Sequence, residues 1–149
     1  MPLRPLVLAG PRLALASLLL AAAAGCRDPA GPADRVTVVT RGTRFTATDG
    51  LAVVQFTIRN AGRSAVYLDP CGGVASQVER RSGGRWEQAS AAYCLYDLST
   101  APIRLAPSAE VDGSRGVPGP GVYRLRVGVA TTASGPPDWG VTSNGFTVE

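Results

Sequence analysis

From Val36 to the C-terminus, apolar residues recur at every second position in short runs, and Gly, Pro, Asn and Asp separate the runs. A side-chain period of two belongs to β-strands, whose successive residues face opposite sides of a sheet, and it leaves little room for helix. Val54, Phe56 and Ile58 alternate with Gln55, Thr57 and Arg59, which sets one row against a core and the other toward solvent. In the run Val122 to Ala130, Tyr123, Leu125, Val127 and Val129 share one face in the same way. Val36, Val38 and Thr40 predict a first strand, Phe45 the start of a second, and Ala65 to Leu68 a strand returning from a turn at Asn60 to Arg63. Val74 to Arg81 and Arg85 to Gln88 flank Ser82-Gly83-Gly84. That is a hairpin signal, because glycine reaches the positive φ values of tight two-residue turns. Weaker strand signals lie at Ile103 to Leu105 and Glu110 to Asp112; Gly116 to Gly121 reads as a turn, Ser134 to Pro137 as a loop, and Phe146 to Val148 as a closing strand. The expected fold is all-β, an antiparallel sandwich of about seven to nine short strands.

The segment Phe56-Thr-Ile-Arg-Asn-Ala-Gly62 resembles the strand and turn that open many bacterial immunoglobulin-like domains. Pro120-Gly-Val-Tyr-Arg-Leu125 is similar to their late Pro-Gly-x-Tyr strand, and the resemblance implies a tyrosine corner at Tyr123. Over roughly Val53 to Val129 the order of elements also resembles the bacterial intracellular proteinase inhibitor (BsuPI) family. That likeness implies an immunoglobulin-like β-sandwich and, as an activity, inhibition of a protease through an exposed loop.

The first 25 residues have a different character. Arg4 and Arg12 carry positive charge with no acid nearby, and Leu13 to Ala24 then run without a charge, the layout of a secretory signal peptide. A spanning helix needs about 20 apolar residues, and Gly10-Pro11 interrupts any extension of this run. The end of the run, Leu20-Ala-Ala-Ala-Ala-Gly25-Cys26, resembles the bacterial lipobox, with Ala23 where that pattern more often has Leu. The resemblance implies that Cys26 becomes an acylated first residue of the mature chain and holds it to a membrane. Residues 27 to 34 are rich in Pro and Gly and read as a tether. At about 3.1 Å per residue, eight extended residues reach roughly 25 Å. The expected organisation is a signal peptide over 1–25, lipidated cysteine and tether over 26–34, and one sandwich domain over 35–149.

Three cysteines in an exported chain leave one odd thiol. Assigning Cys26 to lipid leaves Cys71 and Cys94 as an even pair, and an oxidising compartment favours their disulfide. Closing that 24-residue loop removes unfolded-state entropy of about 3.5 kcal/mol in the chain-entropy model. Cys-x-x-Cys spacing is missing, so redox catalysis is not expected.

The chain has no histidine and no lysine, which removes the commonest general base and metal ligand and leaves no amine to activate a serine. Ser114 sits in Asp-Gly-Ser-Arg-Gly without nucleophile-elbow spacing. Asp69, Asp97, Asp112 and Asp138 are dispersed single acids, which suits turns and solvated charges better than a carboxylate pair or metal site. Neither an enzyme, a cofactor nor a metal is therefore expected. The 15 arginines, less Arg4 and Arg12, stand against 11 acids and leave the mature chain near +2, which is not a nucleic-acid charge balance. For ligand contact the candidates are Tyr93, Tyr96 and Trp139, with Trp86 beside them, since aromatics in loops offer large rigid contact area. The bland alternative is that these rings cover the core or pack on the disulfide.

These features together predict an envelope lipoprotein facing periplasm or exterior, whose non-catalytic domain contacts an envelope protein or polymer. Proteinase inhibition and an enzyme with an unrecognised site are the competing readings.

Overall fold

A computed structural model describes residues 35–69, 76–90, 101–134 and 136–149. Among them lie eleven strands: β1 (Val36–Thr40), β2 (Arg44–Phe45), β3 (Leu51–Asn60), β4 (Val66–Leu68), β5 (Ser76–Ser82), β6 (Arg85–Ser90), β7 (Ile103–Leu105), β8 (Glu110–Pro118), β9 (Gly121–Ala130), β10 (Trp139–Thr142) and β11 (Phe146–Val148). They form a three-stranded sheet in the order β1-β3-β8 and an eight-stranded sheet built around β9. The all-β sandwich is as expected, with more strands than the seven to nine anticipated. Strand β10, four residues long, was not expected, and β2, expected from Phe45, is only two residues long. Segments so short carry almost no periodic signal of their own and form because a neighbour offers them a ladder.

The two long alternating runs become the two sides of the core. In β3, Ala52, Val54, Phe56 and Ile58 are fully buried, and in β9 Tyr123, Leu125, Val127 and Val129 are buried to within one per cent. Burying each large apolar side chain contributes about 1.5–3 kcal/mol, so these two rows supply much of the drive for the sheets to close face to face. Strand β9 is the hub. One of its edges carries β4 and then β5, and the other carries β10 and then β11.

Between the named strands pairing is antiparallel except where β11 runs parallel to β2, matching Thr147 to Arg44 and Val148 to Phe45; an isolated parallel bridge also joins Val38 to Ser143. This departs from the purely antiparallel expectation and has a simple cause. The N-terminal chain leaves the small sheet after β1 and crosses to the large one, where β2 lies beside the C-terminal strand. The crossing gives each sheet one strand from the same N-terminal segment.

Strand β8 corrects a second expectation. The stretch Gly116 to Gly121 does not form one turn: β8 continues to Pro118 and pairs with β3 over nine residue pairs, from Leu51–Pro118 to Arg59–Glu110. Gly113 sits opposite Phe56, and a Cβ on it would stand 2.4 Å from the Phe56 ring. The glycine that looks like a turn residue in sequence therefore leaves room for an aromatic ring inside a strand. The true reversal is confined to Gly119-Pro120, between β8 and β9.

The other turns follow their chemistry. Gly83 and Gly84 both take positive φ, 55° and 82°, and close the β5–β6 hairpin as a two-residue loop. Asn60 ends β3 fully buried, with its Nδ2 donating to the carbonyls of Ser64 (2.8 Å), Leu105 (3.1 Å) and Ala106 (3.2 Å), while its Oδ1 accepts from the Gly62 N–H at 2.9 Å. This one side chain joins the turn after β3 to the end of β7 and the loop that follows it.

Candidate functional site

Tyr123 opens the inward row of β9, and its hydroxyl donates to the carbonyl of Pro118 at 2.6 Å, five residues upstream. A tyrosine near the start of a late strand that bonds back over the preceding reversal is the corner of immunoglobulin-like sandwiches. The tyrosine corner implied at this position is therefore present. With two packed sheets and a central β9, it makes the domain an immunoglobulin-like β-sandwich.

The side of the large sheet that faces away from the core carries the chemistry. Alternation along β9 turns Arg124, Arg126 and Gly128 outward between the buried rows. Arg124 is directly opposite Glu79 of β5, and its Nε lies 2.5 Å from Glu79 Oε2. The guanidinium also lies over the ring of Trp86, 4.6 Å from its centroid. Trp86 is opposite Arg81 in the hairpin, and cross-strand partners share a face. Arg126 approaches the second Glu79 oxygen at 3.8 Å. Glu79 is 8 % exposed, and two arginines account for its charge. A buried carboxylate is tolerated when paired in this way and would be costly if Arg124 were removed.

Beyond Arg126 the row enters a cleft of about 470 Å³, lined by Asp69, Ser76, Gln77, Arg126, Gly128, Pro137, Asp138, Trp139 and Gly140. Gly128 and Gly140 are direct cross-strand partners. A Cβ on Gly128 would meet Pro137 at 2.7 Å, and one on Gly140 would meet Arg126 Nε. The glycine pair lets Pro137 and the Arg126 side chain lie against the sheet as walls of the cleft. Asp138 Oδ2 accepts from the Thr131 N–H at 2.8 Å and from the Thr131 hydroxyl at 2.7 Å, which pins the loop between β9 and β10. The backbone bond, and then the hydroxyl, hold the Asp138 carboxyl below the usual carboxylate range.

The aromatic candidates separate. Trp139 is on β10, not in a loop: it pairs with Val129, and its ring is partly buried against the hydrophobic core. Its Nε1 and the Oγ of Ser76 are buried without a hydrogen-bond partner among the described residues. The register sets both opposite inward-facing valines of β9, so they close the cleft from the core side. Tyr93 and Tyr96, with Cys26, Cys71, Cys94 and Asp97, lie outside the described residues. Asp112 is a solvated strand residue that accepts from the Thr57 hydroxyl and from Arg41, both at 2.7 Å. Among the described residues no three His, Cys, Asp or Glu side chains gather as a metal site.

The Glu79–Arg124–Trp86 cluster was not anticipated in the sequence. Its signal was present in part, because Trp86 belongs to Arg85 to Gln88, the second arm of the expected hairpin. What joins them is the pairing of β5 with β9, which the sequence does not state.

No protein-family model and no curated protein matches the chain. Solved structures with similar backbones include a structural-genomics target, SoR45, at 14 % identity over 76 % of this chain and 84 % of that one, with a TM-score of 0.43. The CARDB domain of the Pyrococcus furiosus PF1109 protein, in complex with di-metal ions, is 16 % identical over 76 % and 87 % of the two chains, with a TM-score of 0.37. A PapD-like domain of human CEP192 is 16 % identical over 80 % and 85 %, with a TM-score of 0.38. Overlaps this loose transfer neither metal, partner nor activity.

Proposed function

We propose that this chain is a bacterial envelope lipoprotein, acylated at Cys26, whose immunoglobulin-like domain is a non-catalytic interaction module held close to its membrane. The observation that carries the interaction reading is the outer face of the large sheet. There a paired arginine row leads from Trp86 into an open cleft walled by Gln77, Pro137 and Asp138. Rigid strands hold these groups, and polar side chains converging on a cleft of this size fit recognition of a ligand. The lipobox-like run ending at Cys26 stands nine residues before Arg35, so the tether keeps that face within a few tens of ångströms of the bilayer.

Crosslinking in intact envelopes tests the module. Full-length chain is expected to capture one envelope component reproducibly, and Arg126→Gln to capture less of it. Repeated capture of nothing specific contradicts the reading. Proteinase inhibition, implied by the BsuPI resemblance, requires envelope protease activity to fall when excess chain is added, and undiminished activity dismisses it.

A further inference from the structure

Strand β8 ends the small sheet on one side. It pairs with β3 along one edge, and among the described residues no strand pairs with the other. Over nine residues, Glu110–Pro118, alternate backbone groups therefore face an open edge. In the large sheet β6 pairs only with β5. Gln88 and Ala89 of β6 and Pro118 and Gly119 at the end of β8 line one groove of about 620 Å³. The edges of the two sheets thus bound a slot along the side of the sandwich.

Two buried polar atoms without a hydrogen-bond partner stand on these edge strands. Arg115 lies on the inward row of β8, opposite Val54, with its Nε buried, and it makes no hydrogen bond or ion pair among the described residues. Ser90 lies opposite the buried Val78, and its Oγ is orphaned in the same way. The Tyr123 hydroxyl bonds to Pro118 and Val78 pairs with Leu125, so Arg115 and Ser90 stand at neighbouring levels of the facing sheets.

The charge around the slot is positive. Arg80, Arg81 and Arg115 stand there against Glu87 alone. Arg80 donates to the Pro120 carbonyl, which leaves its charge unopposed. The acids of β8, Glu110 and Asp112, turn to the other face of the small sheet and are paired with Arg59 and Arg41. Glu79 is held by Arg124 on the outer face of the large sheet.

An inward charge on an edge strand discourages pairing with an apolar strand, which would bury the guanidinium without an anion. A strand with an acid at the facing position removes that cost. Directly opposite residues stand about 4.5–5.5 Å apart at Cβ, within reach of a charge-assisted bond to Nε. The inward positions on either side of Arg115 are Gly113 and Val117, which suit apolar neighbours.

We propose that β8 takes up an extended segment of a partner protein by strand addition, the segment carrying an acidic residue opposite Arg115 and apolar residues two positions to either side. This edge is a second surface, beyond the cleft beside Arg126.

The test is calorimetric titration of full-length chain in detergent micelles with the capped heptapeptide Thr-Val-Thr-Glu-Thr-Val-Thr and with forms carrying Gln or Lys at the centre. Saturable binding is expected for the glutamate peptide, about tenfold weaker binding for the glutamine form, as loss of one charge-assisted hydrogen bond gives, and none for the lysine form. Arg115→Met should bind the glutamate and glutamine peptides alike, and Arg115→Lys should keep the preference for glutamate. The peptide series on wild type decides the matter even where a variant melts early. Methylating the peptide nitrogens along one edge should abolish binding and along the other should spare it, and bound peptide should slow amide exchange in β8. Equal binding of the glutamate and glutamine peptides by wild type overturns the role of Arg115. Absence of saturable binding, or binding that leaves β8 exchange unchanged, overturns strand addition. Protection of β8 that grows with protein concentration when no peptide is present overturns it in favour of pairing between copies of this chain.

Discussion

The hydroxyl of Tyr123 donates to the carbonyl of Pro118 at 2.6 Å, so the first inward residue of β9 is tied to the last residue of β8 across the reversal between the two sheets. The ring itself is 1 % exposed and stacks near Phe146, 6.1 Å between centroids, which fixes the hydroxyl in place from the core side. Tyr123→Phe keeps the ring and removes only the bond. The expected cost is about 1 kcal/mol, seen as a fall of roughly 4 °C in Tm. An unchanged Tm contradicts a structural role for the corner.

Gly113→Ala tests whether β8 owes its length to the ring it accommodates. A Cβ at 2.4 Å from Phe56 forces the ring or the strand to move, and overpacking of this kind costs about 1–3 kcal/mol. Phe56→Leu also destabilises the chain by opening space. Because the two sites share that space, the double variant should be more stable than the sum of the single losses predicts, in a denaturation cycle. Strict additivity contradicts direct contact.

Trp139 separates packing from ligand contact. Its ring packs against the core while its Nε1 is buried without a partner among the described residues. Trp139→Ala should cost about 2–4 kcal/mol. Trp139→Phe should cost far less, because it keeps most of the ring and removes an unsatisfied donor. Equal melting of Trp139→Ala and wild type would return this residue to a surface role.

The Asp112 carboxyl is held below the usual carboxylate range, first by the Thr57 hydroxyl and then by Arg41. A carboxyl with a lower pKa in the folded chain adds stability above its unfolded value, about 3.9, and loses it as pH falls through the folded value. Carbon-13 titration should place Asp112 and Asp138 below that value. Thr57→Val should raise the Asp112 midpoint and leave Asp138 in place, since Asp138 depends on Thr131. An Asp112 midpoint indifferent to Thr57→Val contradicts the assignment.

The core was legible where the physics is local. The alternation of Val54, Phe56 and Ile58 and of Tyr123 to Val129 fixes which side faces inward, and Gly83-Gly84 fixes a hairpin, since backbone sterics alone decide both. Strand β8 was cut short because Gly113, Gly116 and Pro118 resemble turn residues until β3 is known to lie beside them. For the same reason Trp139 read as a loop residue, because β10 exists only as a neighbour of β9. The arginine row was invisible as a unit: Trp86 and Arg124 are 38 positions apart in the sequence and meet only through sheet register. Non-local pairing carries the candidate site, and periodicity carries the core.

The proposed acylation of Cys26 is open to direct measurement. Full-length chain expressed in a bacterium with its own leader should be recovered from membranes, and intact mass spectrometry should show an N-terminus at Cys26 carrying diacylglyceryl and acyl mass. Cys26→Ala should lose both that mass and the membrane fractionation. A mature chain beginning elsewhere, unacylated and washed from membranes by buffer alone, would contradict the claim.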